Sequence, residues 1–495
     1  MIDNFIAGSV ALFGDPFTIG IFVFGVIGGM LFGAIPGVSM LTLAAILLPF
    51  TANLEPAQGV MLFAVIYCTG TYGGAITAIL FNIPGAPENA PTAFDGYPMT
   101  RKGQSGKAVG AAVLCSAIGG VTSAIVMMAA TEPLANWAIS NIGPPEIFAL
   151  VFFGLAVASS VGGRTLWKGW MSVLLGLLIA TIGQDPVGGI NRYNFGFSDL
   201  AAGIAFVPAI LGFFAVSEIF VQAEKKAIGM YEAPKLSLDF PTILELWTHK
   251  IAVVRSILVG FFCGILPGIG ATLAAFMGYG EAVRWSKNKE SFGKGNLEGV
   301  ISSETANNAA TGAAMIPLLA LGLPGGALTA MMVAVFQMHD LEPGPLVFYN
   351  SPELIWIVFA AMFYANVSIL FIGLIETKTI LYLLKIPFQF LAPMILLLAS
   401  IGSYIGRGLV LDVMVMFISG IMGFLLRRSG YSIPGIVLGI ILGKIGEQNF
   451  AQGMQMVHYD LLEYLSRPIC LLLIVAGSLT LLAGIYKALS FSFKS

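Results

Sequence analysis

The sequence predicts an all-α, polytopic integral membrane protein with about 10–12 spans, on the basis of composition and of recurring apolar stretches. The 495-residue chain is 57% hydrophobic and 10% charged, and its mean hydropathy is +0.90. Soluble domains carry roughly 25% charged residues. Stretches of about 20 apolar residues, the length of a membrane span, recur from end to end. Too little polar surface remains to cover a soluble globule of this size.

Charge and residue usage exclude several classes of protein. The net charge is −2, so no basic field exists to attract nucleic acid. The four cysteines lie in apolar stretches without paired spacing, and the three histidines are too scattered for a zinc site. No phosphate-binding loop or hydrolase signature occurs, so we expect neither an enzyme nor a cofactor. The N-terminus lacks the positive segment of a signal peptide, so we expect it to be part of the mature protein.

The apolar stretches suggest one hairpin followed by five spans in the first half of the chain. The hairpin covers 17–50 and is interrupted by Pro36-Gly37. Basic loops alternate with acidic or mixed loops along this half, as the positive-inside rule expects. The five predicted spans lie near 57–84, 108–130, 146–162, 169–185 and 200–222.

A sequence pattern in this hairpin recurs 231 residues later. The stretch GVIGGMLFGAIPGVS begins at Gly25, and SILVGFFCGILPGIG begins at Ser256. Small residues at every fourth position allow helices to pack closely in lipid, and Pro-Gly then breaks the helix. We therefore predict two membrane repeats, 1–240 and 241–495, the second with its hairpin at 256–280.

The charges around the two copies predict that the repeats are inverted. Basic residues flank the second copy on both sides, with Lys250 and Arg255 before it and Arg284 and Lys287 after it. We therefore expect a re-entrant hairpin that turns at Pro267-Gly268 and leaves on the side from which it entered. Because five spans separate the copies, the first hairpin should enter from the opposite side, as in many secondary transporters.

Irregular backbone at membrane depth survives only where protein or a water-filled cavity satisfies it, and such stretches are candidate sites. The half-helix after each Pro-Gly tip presents free N–H groups that suit an anion, and the carbonyls before the tip suit Na⁺. No Lys or Arg occurs in 17–98, 257–283 or 295–377, so a coupled cation, Na⁺ or H⁺, would have to balance a bound anion. We expect irregular backbone at 36–42, 69–74, 82–85, 267–272, 302–308 and 322–326.

Acidic residues near these stretches leave two interpretations open. Glu304 is either a functional intramembrane carboxylate or part of a helix cap near the surface. Glu88 and Asp95 are expected in a surface loop. The residues predicted to bind substrate or ion are Pro36, Gly37, Ser39, Thr42, Thr71, Tyr72, Gly73, Gly74, Asn82, Pro267, Gly268, Gly270, Thr272, Glu304, Asn307, Asn308 and Gly325.

At these residues the sequence resembles the large membrane subunit of the tripartite tricarboxylate transporter family. The resemblance covers nearly the whole chain, in order. It is carried by GAIPGVSMLTLAAILLPFT (33–51), YGGAITAILFNIPG (72–85), AFDGYPMTRKGQSGKA (93–108), GPPEIFALVFFGL (143–155), GQDPVGGINRYNFG (183–196), GILPGIGATLAAF (264–276), ETANNAATGAAMIPLLALGLPG (304–325) and SGYSIPGIVLGIILG (429–443).

The resemblance implies a carrier of the bacterial inner membrane, driven by an ion gradient, that imports citrate-like tricarboxylates or related organic acids. It implies two partners, a small membrane subunit (TctB-like) and a periplasmic substrate-binding protein (TctC-like). Two alternatives stay open, a stand-alone ion-coupled organic-anion carrier and a membrane enzyme or scaffold. The positions most characteristic of the family are Pro36, Gly37, Tyr72, Gly73, Gly74, Pro84, Gly85, Pro267, Gly268, Gly270, Glu304, Asn307, Asn308, Pro324 and Gly325.

Overall fold

A computed structural model describes residues 1–35, 39–161, 166–185, 188–224, 241–266, 270–383 and 388–492. Both predicted tips, Pro36-Gly37 and Pro267-Gly268, lie outside the described residues.

The described chain consists of helices, four short 3₁₀ turns, one π-helical turn and one pair of two-residue strands. The 3₁₀ turns are Leu48–Asn53, Pro87–Asn89, Ser198–Leu200 and Lys289–Ser291, the π turn is Leu211–Val216, and the antiparallel strands are Gly183–Gln184 and Asn191–Arg192. The α-helices are Ile2–Gly14 (α1), Pro16–Ala34 (α2), Met40–Leu47 (α3), Pro56–Phe81 (α4), Ala90–Arg101 (α5), Ser105–Asn141 (α6), Pro144–Val161 (α7), Leu166–Ala180 (α8), Phe206–Ile210 (α9), Ser217–Glu224 (α10), Ile243–Thr248 (α11), Lys250–Ile265 (α12), Gly270–Trp285 (α13), Leu297–Leu321 (α14), Ala327–Met338 (α15), Val347–Asn350 (α16), Pro352–Leu383 (α17), Phe388–Ile405 (α18), Val410–Arg428 (α19), Ile433–Met456 (α20), Leu461–Ser466 (α21) and Pro468–Ser492 (α22).

Helix length and composition confirm an all-α polytopic membrane protein. Six segments of the described chain are long and apolar enough to cross a bilayer, and seven shorter apolar helices accompany them. The predicted spans near 57–84 and 108–130 correspond to α4 and α6. The six long segments are Pro16–Ala34, Pro56–Phe81, Ser105–Asn141, Phe206–Glu224, Pro352–Glu376 and Val410–Arg428.

The first Pro-Gly stretch joins two helices that run antiparallel. A methyl group built on Gly28 of α2 would lie 3.3 Å from the Leu43 side chain of α3. Phe17, at the start of α2, and Leu54, just after the following 3₁₀ turn, line one apolar cavity of about 330 Å³. The chain therefore returns to the level at which α2 began.

The second Pro-Gly stretch joins α12 and α13 in the same way. Gly260 and Gly264 of α12 pack against Ala306 and Ala310 of α14, so α12 and α14 run parallel. Gly278 of α13 packs against Ser302 and Ala306, whereas Gly270, at the start of α13, lies near Gly325 beyond the end of α14. Hence α13 runs back along α12. Whether either hairpin re-enters the membrane stays a prediction.

Equivalent glycine contacts relate the two halves beyond the sequence motif. Gly29 of α2 packs on Ile66 and Thr69 of α4, and Gly260 of α12 packs on Ala306 and Ala309 of α14. The hairpin helices are related by an offset of 231 residues and their partners by 240. The breaks after α4 and α14 obey the second offset, since Gly85 packs on Gly74 and Gly325 on Ala314.

Contacts of α5 establish that α4 and α14 run in opposite directions. Asn89, just before α5, donates to Thr71 O, and Thr100 at the end of α5 donates to Ile79 O. Because both residue numbers increase together, α5 runs in the same direction as α4. Against α14, Thr92 contacts Ser303 whereas Asp95 contacts the N–H of Asn296. These equivalent helices are therefore inverted, as predicted. The repeat boundaries at 240 and 241 remain a prediction.

Two of the predicted breaks end helices. Helix α4 ends at Asn82 with φ 59°, and α14 ends at Gly322 with φ 75°, the left-handed conformation common at helix C-termini. The expectation of irregular backbone at 69–74 and 302–308 is wrong, because both stretches lie inside continuous helices. Thr71 donates to Tyr67 O at 2.7 Å within the helix, and the neighbouring glycines serve close packing.

Candidate functional site

The two inverted halves meet at a cluster of small polar side chains. Asn308 of α14 donates to Cys68 O of α4 at 3.2 Å, and Thr311 Oγ1 lies 3.8 Å from Cys68 Sγ. All three residues are fully buried. Because Cys68 comes from the first half and Asn308 and Thr311 come from the second, this cluster lies at the crossing of α4 and α14.

Glu304 lies next to this crossing and is fully buried. The Thr92 hydroxyl of α5 donates to one of its carboxylate oxygens, and the Ser116 hydroxyl of α6 donates to the other at 2.9 Å. The helix-cap interpretation is wrong, because Asn296 caps α14 by accepting from the N–H of Glu298 at 2.9 Å. Glu304 follows about two turns later, inside the helix.

Buried amide groups around Glu304 lack hydrogen-bond partners among the described residues. Both polar atoms of the Asn307 side chain and Oδ1 of Asn89 are in this state, and both residues are fully buried. Asn307 lies three positions after Glu304 on the same face of α14, and Asn89 lies three positions before Thr92, which donates to Glu304. Buried polar atoms without partners are rare in proteins, so this region is a candidate for binding a ligand, an ion or water.

The break after α4 carries further polar groups into the same region. Glu88 and Asn89 of the 3₁₀ turn Pro87–Asn89 are buried, and the Nδ2 group of Asn89 donates to Thr71 O at 2.8 Å. Glu88, only 5% exposed, accepts from the Thr272 hydroxyl of α13 at 3.4 Å. The start of the second hairpin's return helix thus touches the break of the first half.

The expectation of Glu88 and Asp95 in a surface loop is wrong, because the chain folds back into the protein after Gly85. Asp95 is fully buried and accepts from the N–H groups of Gly295 and Asn296, each at 2.8 Å. Its other oxygen accepts from the Tyr279 hydroxyl at 2.9 Å. Asp95 therefore joins α5 to the beginning of α14 and to α13.

The other predicted site residues divide between this region and helix packing. Ser39 precedes α3 as its N-cap, Thr42 is buried in α3, and Gly270 begins α13 with φ 61°. Tyr72 instead donates to Gly373 O of α17 at 3.1 Å. Gly73 packs on the backbone of Met30, Gly74 on Asn89, Gly325 on Ala314, and Asn82 ends α4.

Sequence reasoning missed several groups of the cluster. Thr92 and Ser116 surround Glu304 only after the chain folds, and neither stands in a recognisable motif. Asn89 likewise stands in no recognisable sequence motif. Asn366, fully buried on α17 with an unpartnered Oδ1 among the described residues, offered a signal, since it stands alone in a long apolar run.

Among the described residues, no basic side chain pairs with the acidic groups of the cluster. Neither Glu88 nor Glu304 takes part in any of the eight ion pairs of the described chain. These pairs are Lys107–Glu245, Arg192–Glu447, Arg255–Glu298, Arg284–Glu281, Arg407–Asp412, Arg427–Glu218, Arg428–Glu224 and Arg467–Glu146. Within the described residues there is also no group of three His, Cys, Asp or Glu side chains that could hold a metal ion. The donors are hydroxyl, amide and carboxylate oxygens, which suit hard cations.

Comparison with known proteins gives the family of the chain. The profile described as "Tripartite tricarboxylate transporter TctA family" matches residues 19–438. An uncharacterized 52.8 kDa protein in the TAR-I ttuC' 3' region of Agrobacterium vitis is 35% identical over 460 residues, which is 92% of this chain and 90% of that protein. An uncharacterized protein in the TAR-II ttuC' 3' region of the same organism is 35% identical over 218 residues, 44% of this chain and 90% of that protein. No solved structure matches. The chain belongs to the tripartite tricarboxylate transporter TctA family, a family of transporters and not of enzymes.

Proposed function

We propose that this chain is the large membrane subunit of a carrier that imports small carboxylates by cation symport across a bacterial inner membrane. A small membrane subunit and a periplasmic substrate-binding protein complete the system. The family assignment supports the tripartite organisation. The buried polar crossing of two inverted halves supports a secondary carrier, whose sites commonly lie at repeat interfaces.

The proposal of cation coupling rests on one observation, the absence of basic side chains from 17–98, 257–283 and 295–377. These ranges include the first hairpin from Phe17 onward, the part of the second hairpin between Arg255 and Arg284, and α4, α14 and α15. A carboxylate bound there would add negative charge beside Glu88 and Glu304, which are already buried. Uncompensated buried charge costs several kcal/mol, so cations would have to enter with the substrate.

The substrate would lie between the two return helices. Ser39 and Thr42 at the start of α3, and Gly270 and Thr272 at the start of α13, offer hydroxyls and backbone N–H groups. Helix N-termini favour anions because their N–H groups are free and carry the positive end of the helix dipole. Alternating access would then move the hairpins and α4 and α14 against a scaffold that includes α7, α8, α20 and α22, which pack on one another.

Reconstitution tests this proposal. The chain and its small subunit would be placed in proteoliposomes, with the purified binding protein and a labelled carboxylate panel outside. Uptake should require the binding protein, and it should collapse when the Na⁺ and pH gradients are both removed. Uptake that ignores both gradients would refute symport, and vigorous uptake by the chain alone would favour a stand-alone carrier.

A further inference from the structure

We propose that Glu304, Asn307 and Asn89 form a binding site for a coupling Na⁺ ion, distinct from the place that takes the carboxylate. This inference rests on the proposed function for its role in transport, but the binding site itself is argued from local contacts. It assigns the ion to a position among these side chains, between α14, α6 and the Pro87–Asn89 turn, which is called the chamber below.

The charge of the chamber calls for a cation. Both oxygens of the Glu304 carboxylate accept from hydroxyls, Thr92 on one side and Ser116 on the other, an arrangement that suits the ionised form. No ion pair of the described chain reaches this carboxylate. A fully buried negative charge with no basic partner is stable only with a bound cation or a proton.

The unpartnered amide oxygens supply neutral ligands. Asn89 is held by its Nδ2 group, which donates to Thr71 O at 2.8 Å, and this leaves Oδ1 without a partner among the described residues. Asn307 follows Glu304 by three positions, so both side chains lie on one face of α14. Amide and carboxylate oxygens are ligands for hard cations, and the donor set holds no imidazole or thiolate that would favour a transition metal.

Packing around the chamber favours an ion over an organic anion. Gly119 of α6 lies against the backbone of Thr305, and a methyl group there would overlap it. Gly299, one and a half turns before Glu304, lies against the Asp95 carboxylate, and a methyl group there would overlap that side chain. Such close packing leaves little room for a carboxylate substrate, and Glu304 would repel one.

The proposed ligands come from both halves of the chain, so a bound ion would hold the two halves together. Asn89, Thr92 and Ser116 precede the second hairpin, whereas Glu304 and Asn307 follow it. Asn89 also adjoins Glu88, which accepts from Thr272 at the start of α13. An ion held here would therefore tie α14 to the turn that touches the return helix of the second hairpin.

The test measures ion binding without substrate or partners. The full-length chain in lipid nanodiscs would be titrated with NaCl against choline chloride at constant ionic strength, and the midpoint of thermal unfolding followed by tryptophan fluorescence. Na⁺ should raise this midpoint saturably. Glu304→Gln should abolish the shift, and Asn307→Ala should weaken the apparent Na⁺ affinity by at least about tenfold.

Controls separate the site from general effects. Glu353→Gln makes the same change on an exposed carboxylate in the first turn of α17 and should keep the wild-type Na⁺ response. Ser116→Ala, which removes one hydroxyl, gives a milder variant if Glu304→Gln does not fold, and it should also weaken Na⁺ binding. An unchanged Na⁺ response in Asn307→Ala and Ser116→Ala, or a wild-type midpoint that follows pH but not Na⁺, would overturn the site.

Binding and transport results can fail independently. Na⁺ binding that depends on Glu304, without Na⁺-driven uptake, would leave the ion site in place and refute the coupling proposed above. Na⁺-driven uptake that persists with unchanged Na⁺ dependence in Glu304→Gln would leave the carrier function in place and refute the site.

Discussion

At the scale of single residues, glycines of the hairpin helices allow backbone contact that no other residue permits. Gly33 of α2 lies against the carbonyl of Gly70 on α4, and a methyl group at Gly33 would overlap that backbone oxygen. Gly20 on the same helix has nothing within 4 Å of its methyl position. The two glycines therefore share a helix but not a packing role.

Replacement of each by alanine should separate these roles. Gly33→Ala should destabilise the protein by about 1–3 kcal/mol, because overpacking against backbone cannot relax through a rotamer change. Gly20→Ala should be neutral or stabilising by up to about 1 kcal/mol, since alanine is the better helix former. Thermal unfolding of the purified variants measures both, and equal midpoints for the two would contradict the contact.

At the scale of elements, Asp95 fixes how α5, α13 and α14 meet. One carboxylate oxygen accepts from two N–H groups at the start of α14, and the other accepts from Tyr279. This one buried side chain therefore replaces the partners that helix N-termini otherwise lack.

Removal of Asp95 should loosen the junction. Asp95→Ala removes the acceptor of two partly buried N–H groups and one hydroxyl, and a group that stays unsatisfied away from water costs about 1–3 kcal/mol. Tyr279→Phe removes only one bond and should cost less, whereas Asp95→Asn keeps one acceptor oxygen and should lie between them. Chemical or thermal unfolding gives this order, and a Tyr279→Phe effect as large as that of Asp95→Ala would contradict it.

At the scale of the whole molecule, an ion pair joins the first half to the segment before the second hairpin. The Lys107 side chain at the start of α6 donates to Glu245 of α11, and this bond lowers the pKa of the exposed Glu245 carboxyl below its ordinary value of 4.5. The pair therefore contributes its full stabilisation above about pH 4.5 and loses it as the pH falls through the lowered pKa.

A pH series should expose this contribution. The unfolding midpoint of Glu245→Gln should lie below that of the wild type at neutral pH, by a small margin because the pair is open to solvent. The two midpoints should converge as the pH falls through the lowered pKa of Glu245. A difference that grows on acidification would contradict the assignment.

The duplication could be predicted from sequence only where geometry restricts the residue type. The ladder repeats because Gly29 and Gly33 touch the backbone of α4 and Gly25 lies close to the side chains of Leu62 and Val65, so small residues fit best. The offset of 240 between α4 and α14 escaped detection, because their contacts tolerate Ile66 in one half and Ala306 in the other. The sequence therefore predicted the two hairpins, but not that α4 and α14, which pack against them, are equivalent helices.

The site was predicted in part for a similar reason. Glu304 and Asn307 stand out because polar residues are costly inside a membrane helix. Thr92, Ser116 and Asn89 are ordinary in their local sequence, and they reach Glu304 only because the chain folds back after Gly85. A tertiary arrangement of that kind leaves no periodic trace in the sequence.

The inverted pairing of α4 with α14 also has an electrical consequence. At the offset of 240, the counterpart of Glu304 is Ala64, which is equally buried but carries no charge. The paired helices therefore differ in formal charge at this fully buried position. If they exchange conformations during transport, a lone negative charge changes its position relative to the membrane voltage, so the outward-open and inward-open forms will differ in energy even when their packing is the same.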